Sequence, residues 1–312
     1  MEATEITTGV WRLPVSIANV YFVRPPRGRW VLIDTGLPGH AKQIRQAAEK
    51  LFGAGAKPEG IILTHGHFDH AGSSRELAEG WGVPVFAHSL ERPFLTGESA
   101  YPPSDPTIGG AIAFLSRFLP KATTNLGSRL KDLPAGEVPG LPGWNWFHTP
   151  GHSPGNVSLY NQEHSVLISG DAAATVDMDS WIAMLTQVRR VSRPPAPFVT
   201  DWTDARRSVE QLARLAPWTI GCGHGTPMSG VEVAQQLNQL ARDFPAPKHG
   251  RYARQPARTN QRGIEYVPPP PPDTLPVNAA IVAGSVAAGS ALYFGLRARG
   301  RRGPGLRARR AA

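Results

Sequence analysis

Thr64-His65-Gly66-His67-Phe68-Asp69-His70 places four potential metal ligands, His65, His67, Asp69 and His70, within six residues. No single helix face or strand face can hold all four, but a tight loop can turn them toward one centre or two adjacent ones. Three more segments offer the same chemistry. His152 stands in Thr149-Pro150-Gly151-His152-Ser153-Pro154-Gly155, a Gly/Pro-bounded turn that fixes the backbone and lets the imidazole project. Asp171 ends an apolar strand at Ser169-Gly170-Asp171, and His224 sits between glycines in Gly221-Cys222-Gly223-His224-Gly225. Each alone is ordinary turn chemistry, whereas their convergence with the first cluster describes a metal site of one centre or two adjacent ones. Two divalent cations about 3.5 to 4 Å apart can share a bridging water, lower its pKa toward neutrality and polarise the carbonyl or phosphoryl oxygen it attacks. Asp69 can orient the resulting hydroxide and is the candidate catalytic residue. Ligation by His and carboxylate without thiolate suits zinc and tolerates iron, manganese or cobalt. No Ser-His-Asp arrangement is needed. His40, His88, His148, His164 and His249 read as packed or surface residues, and Cys222 as a small buried core residue.

These residues need strand ends to stand on. Residues 60–64 form a short apolar run, long enough for a buried strand and too short for a helix, directly before the His-rich loop. Residues 15–23 and 30–33 read as strands around the turn-prone Pro25-Pro26-Arg27-Gly28. A helix is predicted over 41–52, with Ile44, Ala48 and Leu51 on one face, and a helix-strand pair over 73–80 and 83–87. Strands recur at 144–148, 157–160 and 166–169, and helices at 204–215 and 231–244 flank a strand at 219–221. Hairpins and helices mixed in this order imply an α/β chain with helices outside two sheets or one folded sheet. Two long segments, 93–134 with an apolar helix candidate at 108–119, and 176–202, interrupt the regularity. Such insertions either pack as core and surface or form the lid or wall of a pocket.

With these motifs in place, residues 5–244 resemble the metallo-β-lactamase-fold hydrolases. The resemblance implies a four-layer αββα sandwich with the metal site at the edge of its two sheets. It assigns His65, His67 and His152 to a first metal, Asp69, His70 and His224 to a second, and Asp171 to both. Asp34, in Leu32-Ile33-Asp34-Thr35-Gly36, resembles the family's carboxylate that orients ligands. The lactamase branch typically places a Cys at the second site, and this chain does not. The contexts Phe68-Asp69-His70-Ala71-Gly72 and 149–155 look closest to the lactonase and glyoxalase II branches. Yet residues 172–220 lack the lactonase Tyr, and a Pro-rich stretch stands where glyoxalase II carries a helical domain. The implied reaction is binuclear hydrolysis of an ester, lactone or thioester of a small molecule, with two divalent ions, zinc first and iron or manganese next. A different class on the same fold, a mononuclear iron-dependent sulfur (persulfide) dioxygenase, would use only the first triad and leave His70 and His224 without a role. A non-enzymatic binding module would have to keep all seven ligands without catalysis.

The chain has 312 residues and a net charge of +9, but the charge is unevenly placed. Residues 1–247 carry 21 Lys and Arg against 22 Asp and Glu, and residues 248–312 carry 12 against 2. A nearly neutral domain offers no broad field for phosphates, which argues against a nucleic-acid partner. The single cysteine excludes an internal disulfide. Glu2 and Glu5, with no apolar run beside them, argue against a secretory signal peptide. The expected organisation is a catalytic domain over 1–247, a basic, Pro-rich linker over 248–276, a transmembrane helix over 277–296 and an Arg-rich tail over 297–312. Residues 277–296 carry no charge and are long enough to span a bilayer as a helix. Ala280, Gly284 and Ala288, with Ser285 and Gly289, form small-residue faces that could pair helices into a homo-oligomer. The seven arginines beyond the helix favour a cytoplasmic C-terminus, whereas a tail anchor with a cytoplasmic catalytic domain fits the missing signal. The expectation is therefore a membrane-anchored protein with its domain in the cytoplasm.

Overall fold

The computed structural model describes residues 2–120 and 124–273. The first sheet contains β1 (Thr4–Thr7), β2 (Val10–Val15), β3 (Ala18–Val23), β4 (Val31–Ile33), β5 (Ile61–Ile62), β6 (Val85–Ala87) and β7 (Leu130–Asp132), side by side in that order. Pairing is antiparallel from β1 to β4 and parallel from β4 to β7. The helices crossing over this parallel half are α1 (Ala41–Phe52), α2 (Phe68–Ala71), α3 (Ser74–Trp81), α4 (Arg92–Thr96) and α5 (Ala111–Leu115). The second sheet holds β8 (Glu137–Val138), β9 (Leu141–His148), β10 (Val157–Asn161), β11 (Val166–Ile168), β12 (Thr219–Gly221) and β13 (Met228–Ser229), again neighbours in sequence order. Only β11 and β12 pair in parallel. Between and after them lie α6 (Trp181–Thr186), α7 (Trp202–Arg214) and α8 (Val231–Arg242).

Strand alternation separates the layers. In β3, Val20 and Phe22 face outward onto α1 and α3, packing with Ile44, Ala48, Leu77 and Trp81. Tyr21 and Val23, one residue out of phase, face inward onto Leu141, Val157, Leu159 and Ile168 of the second sheet. On the far side, Leu167 and Ile220 meet Leu212, Val233 and Leu237 of α7 and α8. This is an αββα sandwich, with both faces of each central strand buried, which is why those strands read as continuous apolar runs.

The C-terminal transmembrane helix attached to that expectation has to be corrected. Residues 277–296 lie outside the described residues, and among the described residues no helix is long and apolar enough to cross a membrane. The longest, α7, has 13 residues, about 20 Å of helix against a hydrocarbon core of about 30 Å. The sequence reading rested on the absence of charge in a stretch of Ala and Gly, and absence of charge is a weaker signal than apolar bulk. The membrane-anchored localisation, with the domain placed in the cytoplasm on the strength of that helix, is corrected with it.

The compact unit extends to Pro271, beyond the domain end expected at 247. Tyr252 is buried beside Phe244 among Trp202 and Val209, and its hydroxyl donates to the Pro103 carbonyl at 2.6 Å. A small hairpin, β14 (Arg258–Asn260) and β15 (Gly263–Tyr266), follows. Its Ile264 N–H donates to Ser99 Oγ at 3.3 Å.

Candidate metal centre

Every ligand candidate stands at a strand end or in the turn after one. Asp34 follows β4, the 64–70 loop follows β5, His152 lies between β9 and β10, Asp171 follows β11, and His224 follows β12. Backbone bonds join the two sheets at this edge. Val157 N–H donates to Thr64 O at 2.9 Å, and Asn19 N–H donates to Gly223 O at 2.8 Å. The Asn19 amide adds a bond to Cys222 O at 2.8 Å. Glycine is required at Gly151, whose φ of 121° is forbidden to side chains and whose added Cβ would press on the Ala205 backbone.

The site residues expected from the sequence come together in three overlapping groups: His65, His67 and His152; His65, His70 and Asp171; and Asp69, His70 and His224. Within each, the donor atoms lie within 4.8 Å of one another. His67 Nδ1 is 3.0 Å from His65 Nε2 and 2.9 Å from His152 Nε2. Asp171 Oδ2 lies 3.4 Å from His152 Nε2 and 3.1 Å from His224 Nε2, while its Oδ1 is 3.6 Å from His70 Nε2. His224 Nε2 is also 3.5 Å from Asp69 Oδ2. Asp171 thus touches both groups. Of the remaining histidines, His40, His88, His148, His164 and His249, none joins these groups. Cys222 is fully buried, and burial pushes its thiol up to about 12, so it is a neutral core residue rather than a nucleophile.

The donors fit cations. Burial and the neighbouring imidazoles hold His65 well below the usual histidine range, and burial holds His67 and His152 down at about 3, so all three rings are neutral with lone pairs available. Three neutral nitrogens facing one point cannot satisfy each other, but one cation satisfies all three. His70 Nε2 and Asp171 Oδ1 are buried without a hydrogen-bond partner, as expected of atoms built to bind an ion. Burial alone would lower His70 and His224. The nearby carboxylates, Asp171 foremost, overcome it, carrying His70 well above its usual range and His224 up to about 9. Burial likewise opposes the ionised Asp171, yet His224, His70 and His152 hold its pKa well below the carboxylate range. The second group therefore sets carboxylates against its imidazoles, whereas the first offers neutral lone pairs.

Three rings are oriented through their other nitrogen. His70 Nδ1 donates to Asp34 Oδ2 at 2.8 Å, His224 Nδ1 to Ile17 O at 2.8 Å, and His65 Nδ1 to Thr64 Oγ1 at 3.1 Å. Asp34 in turn accepts from Thr64 N–H and Oγ1–H, each at 2.8 Å, in a left-handed backbone conformation (φ 58°) that costs about 1–3 kcal/mol in a non-glycine residue. Thr64 thus links Asp34 to His65, so one buried chain of bonds fixes a ring in each group.

Sequence reasoning missed Glu91. This fully buried carboxylate accepts Gly66 N–H at 2.9 Å and the Tyr101 hydroxyl on Oε2, and Ser153 Oγ–H at 2.9 Å and Gly155 N–H at 2.7 Å on Oε1. It latches the 64–70 loop to the 149–155 turn. Tyr101 stacks on Phe94 with ring centroids 4.2 Å apart and meets His67 edge-on at 4.5 Å. Over the site opens a cavity of about 210 Å³ with His67, Asp69, His152, Asp171 and His224 on its floor. Its walls come from the two long segments, including Tyr101, Ile112 and Leu119 from one and Met178 and Phe198 from the other.

Comparison with known proteins agrees with the geometry. Residues 13–224 match the metallo-beta-lactamase superfamily, and the chain belongs to it. It is 42% identical to the probable metallo-hydrolase YflN of Bacillus subtilis over 76% of this chain and 91% of that protein. More distant similarities include the hydroxyacylglutathione hydrolase GloC of Haemophilus influenzae, 30% identical over 45% of this chain and 59% of that protein. Another is the chicken acyl-coenzyme A thioesterase MBLAC2, 29% identical over 53% and 61%. Among solved structures, a metallo-beta-lactamase family protein from Thermus thermophilus superimposes with a TM-score of 0.52 at 25% identity, covering 77% of this chain and 80% of that one. The protein is a metallo-hydrolase of this superfamily.

Proposed function

We propose that the protein is a binuclear hydrolase acting on an ester, lactone or thioester of a small molecule. His65, His67 and His152 hold one cation, Asp69, His70 and His224 hold the other, and Asp171 is shared. The carrying observation is the position of Asp171, whose Oδ2 lies between His152 and His224 while its unpaired Oδ1 faces His70. Relatives named as a hydroxyacylglutathione hydrolase and an acyl-coenzyme A thioesterase support thioester or ester chemistry. The His and carboxylate donor set suits zinc first, with iron or manganese as alternatives.

Bound divalent ions supply an activated water and polarise the oxygen of the bond under attack. The chain does the rest. Asp69, on the cavity floor beside His224, orients the attacking water and accepts its proton. Apolar walls exclude bulk water, and the sheet-edge bonds keep both ligand loops in register without the ions. The mononuclear sulfur dioxygenase is disfavoured because the Asp69, His70 and His224 group is fully assembled and buried, which a one-ion reaction does not require.

Inductively coupled plasma mass spectrometry on the full chain, paired with an ester, lactone and thioester panel, tests this reading. About two divalent ions per chain, with hydrolysis lost in Asp69→Ala, is the expected result. One iron per chain and no hydrolysis would transfer the site to oxygen chemistry.

A further inference from the structure

The cavity walls say what kind of group lies over the ions, and this inference rests on the hydrolase reading above. Above the floor, Ile112, Leu119, Met178 and Phe198 face the space, with prolines between them. Two polar wall side chains are already engaged. Tyr101 donates its hydroxyl to Glu91, and Ser116 donates its own back to Ala113 O at 2.8 Å. Among the described residues no Lys or Arg lines the cavity. The nearest arginines in sequence are committed elsewhere. Arg117 turns onto the carbonyls of Ala113 and Pro106, at 3.2 and 3.1 Å. Arg193 pairs with Asp179 at 2.7 Å and lies over the Trp202 ring.

A carboxylate or phosphate entering such a space would lose its hydration and gain no counter-charge from the described wall residues. An alkyl chain would lose water to its benefit. We infer that the group seated in this cavity is an uncharged, apolar acyl chain, with its reacting carbonyl on the floor at Asp69 and His224. The described wall residues favour such a chain over an anionic acyl group. Each methylene that fits should raise kcat/KM about fourfold, the equivalent of ~0.8 kcal/mol of burial.

The test varies the acyl group on one leaving group, comparing p-nitrophenyl acetate, butyrate, hexanoate and the size-matched monosuccinate on the ion-loaded full chain. The expected result is a steep rise from acetate to hexanoate, with the monosuccinate at least about tenfold below butyrate. In Leu119→Arg, which places a cation on the wall, that preference should narrow or reverse. Calorimetric binding of acetohydroxamate and hexanohydroxamate gives a readout that needs no turnover, and the longer chain should bind more tightly. A flat chain-length profile, or a monosuccinate turned over as fast as butyrate, overturns this inference and leaves the hydrolase reading standing. If no ester is cleaved by a protein carrying two ions, the hydrolase reading falls. Equal binding of the two hydroxamates would then overturn the apolar seat as well, and tighter binding of the longer one would support it.

Discussion

Gly223→Ala tests the placement of Asp171 and His70 in the proposed centre with a single methyl group. Gly223 lies between Cys222 and His224 with its N–H bonded to Gly170 O at 2.9 Å, and its φ is outside the left-handed region, so the backbone accepts alanine. The space does not. An added Cβ would collide with Asp171 Oδ1 and stand 2.5 Å from His70 Cε1, where carbon atoms prefer about 3.5 Å or more. Asp171 and His70 must therefore retreat by about 1 Å, a displacement that typically costs about a hundredfold in rate when it falls on catalytic geometry. Overpacking of this kind lowers stability by about 1–3 kcal/mol. Gly80→Ala is the control: it sits inside α3, its nearest non-local atom is Arg45 Nη1 at 3.4 Å, and alanine there should add about 0.5–1 kcal/mol. The assay measures metal content, kcat and the urea midpoint in parallel. Gly223→Ala should lose its second ion and about two decades of kcat while keeping its fold. Two full equivalents of metal and a rate within about twofold of the parent would refute the placement of His70 and the shared Asp171 at the ions.

Glu91→Gln leaves an amide that can accept on one oxygen only, stranding two of the four buried donors; at about 1–3 kcal/mol each, the urea midpoint should fall by the equivalent of at least ~2 kcal/mol. Asp34→Asn keeps the left-handed backbone but weakens the hold on His70 Nδ1, and should cost about 10- to 100-fold in affinity for one ion, read by competition with a chelator. Acid sensitivity is expected from His88, which burial and the facing His148 push down to about 4 from 6.5. The unfolded chain takes up that proton first, so stability is complete above pH 6.5 and declines as the pH falls toward 4. Urea midpoints across that window should show the decline, and His148→Gln should lessen it in part, the burial of His88 remaining.

The sequence displayed the candidate ligands because their signal is local. His65, His67, Asp69 and His70 crowd one turn, and His152, Asp171 and His224 each close an apolar run beside glycine. Glu91 gave no such signal. It sits between Leu90 and Arg92 in a short turn, and its partners Gly66 and Gly155 are 25 and 64 residues away. The apolar stretch 108–119 reads as one helix, yet only Ala111–Leu115 is α-helical. Gly109 and Gly110, at φ 87° and 92°, break the start and let Ile112 reach the cavity. Both misses follow from one cause: the apolar period is visible in sequence, whereas a burial set by distant loops is not.

The two cation groups are held by different means, and this makes Glu91 and Asp34 separable. In the second group His70 and His224 are each fixed ring by ring, through Asp34 and through the Ile17 carbonyl. In the first group only His65 has such a bond, to Thr64. His152 Nδ1 has no partner, and His67 rests edge-on against Tyr101. Their orientation comes from the loops that carry them, and Glu91 joins those loops through Gly66, Tyr101, Ser153 and Gly155. Glu91→Gln should therefore loosen the first ion more than the second, and Asp34→Asn the second more than the first. Equal losses at both sites in both variants would mean that the ions, and not the loops, organise the centre.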